Sequence, residues 1–233
     1  MTLAGVDAVA FDLDWTLCFY EVSIAQALAG ALRQVGCPDD LVGDLGRAAV
    51  RYETFWAEEE EKRASAKVVR ERTCLRLLRE AGARGRDLDL ASPLAEAYAA
   101  IRMPSIRLFD GVRELLGDLR VHYRLGLLTN GEPDMQWPKI KTLGIEESFD
   151  VIVVSGDTGV YKPDRRAFEI LLARLGTEPG RALFVGDSPD KDVAGAKGAG
   201  MRVAWVRTDG VAERDVAPDL VVSRTTDLRR RLL

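Results

Sequence analysis

Residues 6–11, VDAVAF, run straight into Asp12-Leu13-Asp14-Trp15-Thr16-Leu17. A short apolar run cut off by a polar residue reads as an inner strand of a parallel sheet. The same signature returns at residues 124–129 (RLGLLT), 150–155 (DVIVVS), 181–187 (RALFVGD) and 202–206 (RVAWV), and more weakly at 219–222. Helical stripes lie between these runs. Val112, Leu115, Leu116 and Leu119 follow one, and Phe168, Leu171, Leu172 and Leu175 another. The second opens with Pro163 and Asp164 and stops near Gly176. Residues 133–143 and 191–199 are shorter helical candidates. This alternation predicts an α/β fold, a Rossmann-like parallel sheet core with helices on both faces.

Residues 18–103 break the rhythm. They offer no convincing strand but carry helical stripes at Leu28, Ala31, Leu32 and Val35, and at Cys74, Leu77, Leu78 and Ala81. Breaks fall at residues 36–38, at 82–85 and at Ser92-Pro93. The reading is an all-helical domain of about four helices at 18–103, inserted after the first strand of a discontinuous core at 1–17 and 104–233. The charge run at 58–63 reads as a solvated helix face.

Composition narrows the function classes. In 233 residues, 47% apolar and 30% charged content suits a globular chain with a real core, not a disordered one. Thirty-seven acids against 33 Lys and Arg give a net charge of −4, which argues against binding a nucleic-acid polymer. No apolar run approaches the ~20 residues that cross a bilayer. Residues 1–7 carry no basic segment, so no signal peptide is expected. Cys18, Cys37 and Cys74 form no CxxC pair and read as reduced thiols of a cytoplasmic protein.

Ligands of open α/β sheets bind beyond the carboxyl ends of the strands. The strand ends here deliver Asp12 to Thr16, then Thr129-Asn130-Gly131, then Lys162-Pro163, then Asp187 to Asp192. Each fragment alone is weak, because Asn-Gly is a common turn and Lys-Pro a common helix start. Four of them in order, each at a strand end, are hard to explain as packing. Asp12 and Asp187 could not both sit dry and ionised without a cation. Carboxylates around an incompletely filled oxygen shell suit Mg²⁺ beside a phosphoryl group. No His or Cys cluster suggests zinc, and the one histidine, His122, precedes a strand. Lys162 would add positive charge, and Thr129 Oγ and the Asn130 backbone N–H would donate to phosphoryl oxygens. Asp12 could then act as a nucleophile and form an aspartyl-phosphate, with Asp14 serving the leaving oxygen and then the attacking water.

The motifs at 9–17 (VAFDLDWTL), 127–131 (LLTNG), 161–164 (YKPD) and 184–192 (FVGDSPDKD) resemble those of the haloacid dehalogenase-like hydrolase superfamily. The resemblance covers essentially the whole core. It implies Asp12 as nucleophile and Asp14 as acid/base. It implies Mg²⁺ held by Asp12, the Asp14 main-chain carbonyl and Asp187, and phosphate held by Thr129 and Lys162. Asp192 is implied as a further acidic site residue. The helical block resembles the mobile cap of the subfamily with an α-helical cap.

The function expected is Mg²⁺-dependent hydrolysis of a small soluble phosphomonoester. The alternatives are a 2-haloacid dehalogenase-type hydrolase, a phosphosugar mutase, and a non-enzymatic phospho-switch or scaffold. Dehalogenases of this superfamily generally lack the second aspartate, so Asp14 counts against that reading. Trp15 departs from the family pattern, which has a small or polar residue there; it reads as a hinge or packing aromatic, or as a residue that narrows the pocket. Phe19, Tyr20, Arg51, Tyr52 and Trp56 are the other candidates for specificity.

Overall fold

The computed structural model describes residues 5–83, 85–207 and 217–233. The chain forms two compact units, one of residues up to Phe19 together with Leu108–Leu233, the other Tyr20–Arg107. Residues 1–4, on which the expectation about a leader partly rests, lie outside the described residues.

The first unit is built on a six-stranded sheet. Its strands are β1 (Ala8–Phe11), β4 (Arg124–Thr129), β5 (Val151–Val154), β6 (Ala182–Gly186), β7 (Arg202–Val206) and β8 (Leu220–Val222). They lie in the order β5-β4-β1-β6-β7-β8, and every pair is parallel. The chain leaves β1 for β4 and β5 on one side, then returns to β6, β7 and β8 on the other. That reversal puts the switch point of the sheet at the carboxyl end of β1, where such sheets bind ligands.

Helices α5 (Val112–Arg120), α6 (Pro133–Leu143), α7 (Ser155–Thr158), α8 (Arg165–Leu175), α9 (Ala194–Gly198) and α10 (Arg229–Leu232) belong to this unit, and the sheet carries helices on both faces. Strand residues alternate between the faces. Ala8 and Ala10 join Leu128, Val153, Phe184, Val203 and Trp205 against Phe168, Leu171, Leu172 and Leu175 of α8. Phe168 and Phe184 meet edge-on at 5.1 Å, a contact worth about 0.5–1.5 kcal/mol beyond its buried area. Gly126 lets the layers close, since a Cβ there would stand 3.0 Å from Leu171 and from Leu175.

The second unit holds α1 (Ile24–Gln34), α2 (Leu45–Glu60), α3 (Ala66–Glu80) and α4 (Asp87–Arg102). Its core joins Leu28, Leu32, Tyr52, Phe55, Cys74, Leu77, Leu78, Leu94 and Tyr98. Ser23 and Gln26 form a reciprocal capping box, and Asp44 and Ser65 cap α2 and α3, each cap satisfying an otherwise orphaned N–H. No described helix is long and apolar enough to cross a membrane.

Three local readings are corrected. Residues 18–103 do contain a strand, because β2 (Cys18–Tyr20) pairs with β3 (Ile106–Leu108) in a two-stranded ribbon. Three residues are too few for a period to register in sequence. Ser92-Pro93 is not a break, since α4 runs through Pro93, where the ring costs one backbone bond while Leu90, Ala91, Leu94, Ala95 and Tyr98 stay buried. Pro163 lies outside α8, whose N-cap is Asp164.

Candidate active site

Asp12 is the first residue past β1, and its N–H donates to the Val185 carbonyl of β6 at 2.9 Å. The sheet thus fixes the backbone that presents the carboxylate. Lys162 Nζ donates to Asp12 Oδ1 at 2.6 Å and to Asp192 Oδ1 at 2.7 Å, with all three residues buried. Thr16 Oγ1 lies 3.5 Å from Asp12 Oδ2 and 3.3 Å from Asp187 Oδ1. Carboxylate oxygens of Asp12, Asp187 and Asp192 all lie within 4.8 Å of one another.

Three acids therefore face one ammonium. Burial pushes the Asp12 carboxyl up against the pull of Lys162, and Asp192 and Asp187 push the same way as burial. Asp187 is pushed up to about 6, by burial first and then by Asp192. Burial alone would lower Lys162, yet the Asp12 and Asp192 carboxylates outweigh it and raise it above the usual ammonium range. The site is short of positive charge, and its donors are all oxygen. That is the chemistry of a hard divalent cation such as Mg²⁺.

Asp14 lies outside this cluster. Lys139 Nζ reaches both of its oxygens, at 2.9 and 2.8 Å, and Gln136 Nε2 donates at 3.1 Å. Burial pushes Asp14 up, but Lys139 and these hydrogen bonds outweigh it and hold the carboxyl below its ordinary range. Gln136 Nε2 also lies 2.5 Å from Thr129 Oγ1 and 2.7 Å from the Asn130 carbonyl. Two N–H groups are thus shared among three acceptors, which ties the Asp14 loop to the end of β4.

The expected phosphate residues are near but differently engaged. Thr129 closes β4, fully buried, with Gln136 against its hydroxyl. The Asn130 side chain is a brace. Its Nδ2 donates to the Lys162 carbonyl at 2.9 Å, and its Oδ1 accepts from the Lys162 N–H at 2.8 Å and from Ser155 Oγ at 2.9 Å. Asp192 accepts from the Ser188 N–H at 3.0 Å. Trp205 Nε1 donates to the Asp187 carbonyl at 2.9 Å.

Reading the sequence missed Gln136 and Lys139 altogether and gave Thr16 no role. A signal existed. Gln136, Lys139, Ile140 and Leu143 occupy one buried stripe of α6, and a polar pair inside an otherwise apolar stripe needs a partner. That partner, Asp14, is 122 residues away from Gln136 in sequence.

The specificity candidates separate. Trp15 is not a packing residue, since it is 51% exposed, and its φ of 61° lies in the left-handed region. Phe19 stacks on Phe109 at 5.0 Å. Tyr20 lies under the Arg102 guanidinium. Arg51 is spent in an exposed ion pair with Glu80. Trp56 stacks against Tyr52 of the helical core.

A family model described as haloacid dehalogenase-like hydrolase matches residues 6–200. The chain belongs to this hydrolase family. It is 38% identical over 166 residues to a phosphoserine phosphatase of Thermus thermophilus, a match spanning 70% of this chain and 64% of that protein. The chain thus spans just under two thirds of that relative's length. It is 31% identical over 235 residues to a glyceraldehyde 3-phosphate phosphatase of Methanopyrus kandleri, covering 96% of this chain and 95% of that one. Among solved structures of the family, a 2-haloacid dehalogenase from Pseudomonas syringae superposes with a TM-score of 0.66 and 28% identity, over 97% of this chain and 98% of that one.

Proposed function

We infer that this family member is a Mg²⁺-dependent phosphatase that hydrolyses a small soluble phosphomonoester through an aspartyl-phosphate on Asp12. The observation that carries the reading is the charge balance at the β1 end. Asp12, Asp187 and Asp192 converge near Lys162, the one ammonium among the described residues that bonds to them, so a cation and a bound phosphoryl group are both electrostatically accommodated. Relatives named as phosphatases of small phosphorylated metabolites support it.

Asp12, Asp187 and the Asp14 main-chain carbonyl would hold Mg²⁺, with Asp192 contributing directly or through water. Bound there, the ion supplies charge neutralisation for the phosphoryl oxygens. Lys162, Thr129 Oγ1 and the Asn130 N–H orient the phosphoryl group. The Asp12 carboxylate attacks phosphorus and the ester P–O bond breaks. With the phosphoryl group bound, Asp14 takes up a proton and passes it to the leaving oxygen, then takes one from the water that cleaves the aspartyl-phosphate and releases phosphate. Lys139 and Gln136 fix the orientation of Asp14 for both steps. The three cysteines are free and buried, which fits a reducing, cytoplasmic setting. The helical unit is proposed to act as a cap.

The dehalogenase reading has a structural neighbour in its favour. Against it stands the dedicated Gln136–Lys139 anchorage of Asp14, a group that such chemistry does not need. The deciding measurement is turnover of para-nitrophenyl phosphate and of 2-chloropropionate, with Mg²⁺ and with EDTA. Phosphate release that EDTA abolishes is expected, without halide release. Asp12→Asn should lose at least about a thousandfold in kcat with unchanged circular dichroism. Substantial activity in that variant would overturn the nucleophile assignment.

A further inference from the structure

The loop that carries Asp12 and Asp14 is pinned along its main chain. The Asp12 N–H donates to Val185, and the Leu17 N–H donates back to the Leu13 carbonyl at 2.9 Å. The Leu17 carbonyl accepts from the Phe109 N–H at 3.0 Å. The Thr16 carbonyl is held by a side chain instead. It accepts from the Thr225 hydroxyl at 2.5 Å, across 209 residues of sequence. Thr225 opens the short helical turn Thr225–Leu228. Both threonines are buried, so losing that donor would orphan the carbonyl.

Thr16 in turn stands between two of the acids. Its Oγ1 lies 3.5 Å from Asp12 Oδ2 and 3.3 Å from Asp187 Oδ1. One hydroxyl proton cannot serve both acceptors at once, and both separations are long for an O–H···O bond. The hydroxyl is thus a spacer between the carboxylates more than a strong donor to either. Asp187 is fixed from its other end as well. Its carbonyl accepts from Trp205 Nε1 at 2.9 Å, and the Trp205 ring is buried in the sheet core. Thr225 and Trp205 therefore bracket the gap between Asp12 and Asp187, each through a main-chain carbonyl.

The width of that gap matters to a cation. Mg²⁺ demands a near-ideal octahedral shell at short distances, whereas Ca²⁺ accepts longer and more irregular ones. Removing an outer partner that orients a metal ligand typically costs about 10–100-fold in affinity. We propose that Thr225 and Trp205 are positioning residues that set the spacing of Asp12 and Asp187 for Mg²⁺ in preference to a larger cation. The proposal rests on the phosphatase reading, in which those two carboxylates hold the ion.

The experiment compares wild type, Thr225→Val, Thr225→Ser and Trp205→Phe, all checked by circular dichroism. Each full-length protein, freed of metal with EDTA and dialysed, is titrated calorimetrically with Mg²⁺ and separately with Ca²⁺. Mg²⁺ affinity should fall at least about tenfold in Thr225→Val and in Trp205→Phe. Ca²⁺ affinity should fall less, so the ratio of the two drops. Thr225→Ser keeps the hydroxyl and should stay near wild type. Residues with a merely structural role would weaken both ions equally, or neither. An unchanged ratio in either variant strikes that residue from the proposal, and an unchanged ratio in both overturns it. Should Thr225→Val fail to fold, the Trp205→Phe ratio still decides. A wild type that binds no Mg²⁺ defeats the metal site of the phosphatase reading, and the proposal with it. Wild-type binding that the variants match defeats the proposal alone.

Discussion

Trp15 shows how a single residue can sit against local preference. Its N–H donates to the Cys18 carbonyl at 2.9 Å, closing a turn that needs φ near 61°. A left-handed conformation costs a bulky L-residue about 1–2 kcal/mol, and glycine adopts it freely. Half of the indole is exposed, so little packing repays the strain. Trp15→Gly should therefore raise stability by about 0.5–1 kcal/mol, the relief exceeding the extra chain entropy of glycine; urea denaturation measures it. If the Trp15 indole meets the substrate, the same variant should change KM across a panel of phosphomonoesters; an unchanged KM would leave it without that role. Lys139 is the second case. It is 4% exposed and pairs with the partly exposed Asp14. Lys139→Met leaves that carboxylate half-buried without its cation, at a cost of about 1–3 kcal/mol. A kcat loss larger than the change in KM is expected, because the proposed mechanism uses Asp14 in both chemical steps. Equal effects on both constants would reduce Lys139 to a structural residue.

At the scale of elements, strand ends and helix starts place the chemistry. The inner strands were readable because both of their faces are buried, so they are apolar throughout. The α5 and α8 patterns were readable as stripes and α6 only as a shorter helical candidate; Pro163 falls outside α8 and Pro138 lies inside α6. The short ribbon strands were not readable, since pairing with a partner 86 residues on, not local pattern, defines them. The entry to β1 offers a test of element anchoring. Asp7 accepts from Thr177 Oγ1 at 2.5 Å and from Arg181 Nε at 2.9 Å. These bonds, the Thr177 one first, hold its carboxyl below the ordinary value. A lowered folded-state pKa gives stability that is present above the unfolded value and lost as pH falls through the folded one. Asp7→Asn should cost less than about 1 kcal/mol at pH 7, because the group is largely solvated. That difference from wild type should shrink as the pH falls below the ordinary carboxylate value of 3.8 and through the lowered folded one, followed by denaturant titration across the acid range.

Across the whole molecule, the reversal of strand order around β1 assembles a site from four separated stretches. Its charge imbalance makes cation binding a stability effect. A ligand that binds the folded state at a hundredfold excess over its dissociation constant stabilises it by about 2.7 kcal/mol. Mg²⁺ should accordingly raise Tm by several degrees. Asp187, pushed up to about 6, must be deprotonated to bind, so the gain should shrink as pH falls below 6. Calorimetric scans from pH 5 to 8, with Mg²⁺ and with EDTA, check this, and Asp187→Asn should lose most of the shift. A Tm indifferent to Mg²⁺ across that range would count against the metal site.

The sequence by itself determined the parallel α/β core, the helical insertion and the acids and lysine at the strand ends. These follow from periodicity and from polar breaks in apolar runs, which are local properties of a chain that must bury its strands. Only the tertiary structure decided which charges share a cluster. It set Asp192 beside Lys162 and Asp12, gave Asp14 to Lys139 and Gln136, and turned Asn130 into a brace. Electrostatic partnership depends on separations of a few ångströms between residues far apart in the chain, and no local pattern encodes that distance.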